Sequence, residues 1–195
     1  MIVELPVDIQ SSVLDIYKTD LRQRYESSCH YILDMIRASC GFKADVLIHY
    51  MANMVQNPFT KPHFAIVLTG EFAHVISYLL CKVAGEYVAG DCRLLGRFNG
   101  GLKEKKLVVI ESTFTDSMLG KVKELLKSPT VIIEERRRDA EQIPSYHRVV
   151  MISPAPIADR ARRFFTVHCD RVDGFETDVA YNFAFESLMD HLEKR

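Results

Sequence analysis

The sequence predicts an α/β fold: a largely parallel sheet flanked by helices, preceded by an N-terminal helical subdomain. Short apolar runs, "HFAIVL" (63–68) and "KLVVIE" (106–111), are bounded by breakers, as in strands buried on both faces. Stretches of helical periodicity separate the first runs, as parallel strands require. Residues 10–56 carry only the helical period.

The elements follow in order. From 10 to 40, apolar residues recur at Leu14, Tyr17, Leu21 and Tyr25, then Cys29, Ile32, Leu33, Ile36 and Cys40, with Gly41 as a stop signal. A second helix over 44–56 turns Val46, Leu47, Tyr50, Met51, Met54 and Val55 inward, and "QNPFTKP" ends it because proline cannot extend the ladder. A strand at 63–68 leads into a helix at 72–84. The strand at 106–111 leads into a helix at 117–127, with Leu119, Val122, Leu125 and Leu126 inward. "TVIIEE" (130–135) and "HRVVMIS" (147–153) flank a polar segment, "RRRDAEQIPSY", as two arms of a hairpin. "RFFTVHCD" (163–170) is a further strand, and a helix over 176–194 closes the chain. The expected division is a helical subdomain at 1–57 and an α/β core at 58–195.

The bulk properties narrow the function. The chain has 195 residues, 48% of them hydrophobic, and a formal net charge of −1, so a basic site has to be local. Its five cysteines (29, 40, 81, 92 and 169) form no C-x-x-C pair, and reduced core thiols are expected rather than a zinc site or a disulfide framework. "MIVELPVD" does not read as a signal peptide, and no run approaches the roughly 18 apolar residues of a membrane span. The expected location is cytoplasmic, without membrane contact.

The stretch "LTGEFAHVIS" (68–77) sits between strand and helix, where a phosphate-binding P-loop would lie. That loop reads G-x-x-x-x-G-K-[ST]. Here Gly70 and Ser77 hold the outer places, while Val75 replaces the second glycine and Ile76 the lysine. Val75 puts a branched side chain where backbone amides need to approach phosphate, and Ile76 removes the counter-charge. Downstream, "LVVIES" (107–112) has the form of a Walker B strand, with Glu111 in the magnesium place and Ser112 in that of the catalytic acid. "RVVMISPAP" ends with Ser153-Pro154 where a polar sensor would stand, and "DRARRFF" (159–165) places Arg162 and Arg163 before a strand.

In this order the motifs resemble the helicase domain of the superfamily 3 primase-helicases of phages, plasmids and large DNA viruses, a branch of the AAA+ ATPases. "HYMANMVQNPFTKPHFAIVLTG" (49–70) is similar to that family's approach to Walker A. "GRFNGGLKEKKLVVIES" (96–112) is similar to its Phe-Asn stretch before Walker B. The resemblance spans roughly residues 45–170. It implies an AAA+-like, P-loop-derived sheet, and arginines reaching the nucleotide of the next subunit. It also implies a hairpin that touches DNA. The departures imply a degenerate P-loop (Gly70, Val75, Ile76, Ser77) and a degenerate Walker B (Glu111, Ser112). A stand-alone pseudo-ATPase is therefore expected, with no catalytic residue, cofactor or metal.

The remaining polar signal is "EERRRDAEQIPSYHR", with Arg136, Arg137, Arg138 and Arg148 as candidate binding residues. Glu134, Glu135, Asp139 and Glu141 offset their charge. The histidines (74, 147 and 168) match no metal-ligand spacing. The expected role is binding a protein partner, as a decoy or inhibitor of host replication or defence machinery, in the host cell of a phage or mobile element. The alternative is a nucleic-acid-binding accessory factor using the basic hairpin. A monomer or small oligomer is expected.

Overall fold

The computed structural model describes residues 29–157, 163–173 and 179–194. The first helix expected from the sequence lies outside them up to residue 28. The chain divides into two compact units, 1–35 with 174–195, and 36–173. The helix over 44–56 belongs with the sheet because its buried residues, Leu47, Ile48, Met51 and Met54, face the core rather than a separate bundle.

In chain order the elements are α1 (Cys29–Cys40), α2 (Ala44–Gln56), β1 (Ala65–Thr69), α3 (Ala73–Ala84), β2 (Tyr87–Gly90) and β3 (Leu107–Glu111). They continue with α4 (Asp116–Lys127), β4 (Thr130–Ile133), β5 (Glu141–Pro144), β6 (Arg148–Ile152), β7 (Phe164–His168) and α5 (Val179–Lys194). In the first unit, the Cys29 amide donates to Ser187 Oγ at 3.2 Å, and Ala184, Leu188 and Leu192 form a buried stripe of α5 at four-residue spacing.

The second unit holds a five-stranded sheet in the order β2-β3-β6-β1-β7, every pair parallel. Period-two alternation distributes its apolar residues to both faces. Ala65 and Val67, Val108 and Ile110, and Val149 and Met151 face α4, whose Val122, Leu125 and Leu126 complete that layer. The other face lies under α3, with α2 packed on α3. Burial on both sides explains why these strands read as unbroken apolar runs.

One expected pairing is corrected. β4 pairs antiparallel with β5, Val131 opposite Ile143 and Ile133 opposite Glu141, in a separate two-stranded sheet. The second hairpin arm is thus 141–144, not 147–153. The segment 148–152 is fully buried and joins the parallel sheet between β3 and β1. Burying "RVVMI" at the sheet centre removes far more apolar surface from water than an exposed hairpin arm would.

Candidate functional site

Parallel strands bring their C-terminal ends to one edge, where open α/β sheets place ligands. Here the ends of β1, β6 and β3 bring Gly70, Ser153, Pro154, Glu111 and Ser112 to a cleft of about 640 Å³, joined by His74 from α3. So the sequence-predicted Gly70, Glu111 and Ser112 converge.

The approach from β1 to α3 is short. The turn contains only Gly70, Glu71 and Phe72, and α3 starts at Ala73. The Phe72 amide donates to Cys169 O at 3.1 Å, and the Ala73 amide to Gly70 O at 3.2 Å. Gly70 has φ +92°, and a Cβ there would lie 2.5 Å from Cys169 O. Glycine is required here for close packing against the end of β7, as well as for its backbone angle. Val75, Ile76 and Ser77 are already helical. Ile76 is 1% exposed and faces the core, and the Ser77 hydroxyl donates back to His74 O at 2.9 Å. These positions form a helix rather than a loop of amides around an open cradle.

The polar groups of the cleft are few. His74 Nε2 lies 3.5 Å from Glu111 Oε1, both well exposed. The Ser153 hydroxyl donates to Ala155 O at 2.7 Å, and Ser112 Oγ to Thr113 O at 3.3 Å. No lysine or arginine lines the cleft among the described residues. In the neighbouring cleft Arg93 is held by Asp91 at 2.8 Å. An entering phosphate would meet Glu111 and, among the described residues, no fixed cation. Among the described residues, no group of three His, Cys, Asp or Glu side chains could hold a metal ion. Arg162 lies outside the described residues. The Arg163 carbonyl accepts from the Ala65 amide at 2.8 Å and so ties the entry of β7 to β1.

The sheet order, with the β1, β3 and β6 ends on one edge, can now be set beside solved proteins. The apo C-terminal region of NrS-1 superposes with a TM-score of 0.68 at 18% identity, over 84% of this chain and 45% of that one. A JCV helicase superposes with a TM-score of 0.55 at 11% identity, over 86% of this chain and 52% of that one. The chain has a helicase-type, AAA+-like α/β fold. It spans about half the length of these solved structures. No protein-family model matches the chain, and no curated protein does.

Within this helicase-type fold the basic hairpin forms a second candidate surface. Residues 97–103 brace it. Asn99 Nδ2 donates to Ile132 O at 2.8 Å, and its Oδ1 accepts from the Glu134 amide at 2.8 Å. Arg97 pairs with Glu134 at 2.9 Å, Lys103 with Glu141 at 2.6 Å, and Arg138 with Glu135 at 2.6 Å. Arg136 and Arg137 make no ion pair among the described residues. Arg136 and Arg97 both stack on Phe98, at 5.5 and 5.6 Å from its ring centre. Phe98 is 53% exposed and Ile132 57%. Sequence reasoning marked the arginines but not Phe98 or Asn99 as their neighbours. "RFN" held the signal, but a contact over more than thirty residues leaves no local trace.

Arg148 is corrected. It opens β6 at 1% exposure and does not belong to the hairpin surface. Its guanidinium donates to Asn53 Oδ1 (2.9 Å), Asn57 O (2.7 Å), Asn53 O (3.2 Å) and Pro58 O (3.2 Å). These carbonyls end α2, so the charge sits on the negative end of that helix. His147 is buried beside it. Its Nε2 donates to Leu102 O at 2.9 Å, leaving Nδ1 to accept from the Ser145 hydroxyl at 3.0 Å, which accepts from Lys61 Nζ at 2.8 Å. Burial, chiefly, holds the imidazole below its ordinary pKa of 6.5, and Lys61 adds to the effect.

Proposed function

We propose that this helicase-type domain has no ATPase activity and acts by binding a protein partner, as a decoy or inhibitor of replication or defence machinery in the host of a phage or mobile element. The observation that carries the reading is the three-residue turn between β1 and α3, with Ile76 buried where a phosphate-binding lysine would need to reach out. Phosphoryl transfer rests on positioning and on stabilising charge. Among the described residues, this edge of the sheet supplies neither an amide cradle nor a cation. The binding face in this reading is the hairpin with Arg97 and Phe98, where an exposed aromatic residue, Ile132 and arginines meet, the side chains enriched at interface cores.

The test is thermal unfolding of the chain with millimolar ATP and magnesium, where Tm should not move. A ligand at 100 times its Kd would stabilise by about 2.7 kcal/mol, so a clear upward shift overturns the reading.

A second reading, a nucleic-acid accessory factor, is favoured by Arg136 and Arg137 beside the exposed Phe98 ring, since stacking and cationic side chains together hold single strands. Salt separates the two. Affinity for single strands falls linearly in log salt with a slope of about −0.7 per phosphate contact, whereas a packed protein interface depends less on salt.

A further inference from the structure

The sulfurs of Cys40 and Cys169 lie 3.9 Å apart, both buried. Cys40 ends α1 and Cys169 follows β7. The residues beside them hold the two backbones together: the Asp170 amide donates to Ser39 O at 3.0 Å, and the Ser39 hydroxyl to Asp170 O at 2.9 Å. The Cys169 amide in turn donates to Thr69 O at 2.8 Å. The pair therefore stays together on a rigid frame. A bond requires the sulfurs to close from 3.9 Å to ~2.05 Å.

We infer that Cys40 and Cys169 are a dithiol that hydrogen peroxide converts to a reversible intramolecular disulfide. The Cys40 thiolate attacks one peroxide oxygen, the O–O bond breaks, and hydroxide leaves, giving a sulfenic acid. The Cys169 thiol gives up its proton, its sulfur attacks the Cys40 sulfur, the S–O bond breaks, and water departs. One peroxide and two thiols give one disulfide and two waters. The order follows from the site. Cys40 is the less deeply buried residue, at 6% exposure against none for Cys169. The contact between the two sulfurs lowers the pKa of Cys40, and the same contact together with burial raises that of Cys169. Cys81, pushed up to about 11 by burial, is a poor competitor. A small oxidant suits sulfurs this enclosed.

The bond would reach the candidate cleft through Cys169. Its carbonyl accepts the Phe72 amide and packs on Gly70, so the bridge would clamp the end of α1 to the β1–α3 turn.

The test oxidises the full chain with peroxide, blocks free thiols, and maps peptides without reduction. The expected product is a Cys40–Cys169 cross-linked peptide pair, with free thiols in denaturant falling from five to three. A Tm rise of roughly 5–10 °C is expected, reversed by dithiothreitol. Cys40→Ser and Cys169→Ser should each abolish the rise. If either variant fails to fold, the peptide map of the parent chain decides. Conversion of Cys40 to sulfinic acid without the cross-link, equal yields of other cysteine pairs, or a Tm rise that survives in a folded single variant would each overturn the inference.

Discussion

Arg148 shows how a single residue can be misread when its partners are distant in sequence. It follows a charged segment and looks like loop chemistry, yet it is a buried cation fixed by carbonyls at 53–58. Arg148→Ala would leave those carbonyls without their donor and open a cavity, costing roughly 3 kcal/mol or more. Urea denaturation measures this, and a variant as stable as the parent would remove Arg148 from the scaffold. His147, next to it, makes stability depend on pH. Its folded pKa lies below the ordinary 6.5, so on acidification the unfolded chain binds the proton first. The stabilisation is therefore complete above about pH 6.5 and declines as pH falls through that value. In His147→Gln the decline between pH 7 and pH 5 should be shallower, as read from denaturation midpoints at each pH. Neither role was legible locally, because Lys61, Ser145 and Leu102, which define the His147 site, come from three separate segments.

The hairpin is an element whose existence was legible and whose second arm was not. "TVII" is a strand as expected, but its partner is 141–144 and not 147–153. "EQIP" looks like loop because Pro144 cannot donate to a ladder, yet it pairs here with Thr130 at the end of the ribbon. The strands β1 and β3 were readable because doubly buried strands are unmistakably apolar, whereas β6, equally buried, read as an arm of the hairpin. By contrast the edge strand β2, mostly exposed, carries no such signal in "YVAG". The cleft was legible as motif positions, but the tightness of the turn was not, since Gly70 is constrained by a carbonyl from residue 169. The arginines at the hairpin tip project from a ribbon held by Asn99 and by the inward Val131, Ile133 and Ile143. Replacing Arg136, Arg137 and Arg138 together by alanine should change stability by only about 0.5 kcal/mol. It should also weaken capture of any partner. A folded triple variant that retains all binding would place the function elsewhere.

At the scale of the molecule, the parallel sheet ends at an edge whose cleft, among the described residues, no lysine or arginine lines. An arginine that reaches a neighbour's phosphate has no target where no nucleotide is held. The expected mass in solution is that of a monomer or small oligomer, unchanged by ATP, and a stable hexamer by light scattering would overturn this. The strand order has a further consequence, for the time course of folding. β1 lies between β6 and β7, pairing Ile66 with Val150 and Phe165, so neither neighbour exists when β1 leaves the ribosome. The most apolar strand of the sheet must wait, exposed, until the chain beyond residue 148 is made. Pairings this distant close slowly and leave the growing chain open to aggregation. Synthesis rate and chaperone supply, rather than equilibrium stability, should then set the yield of native protein.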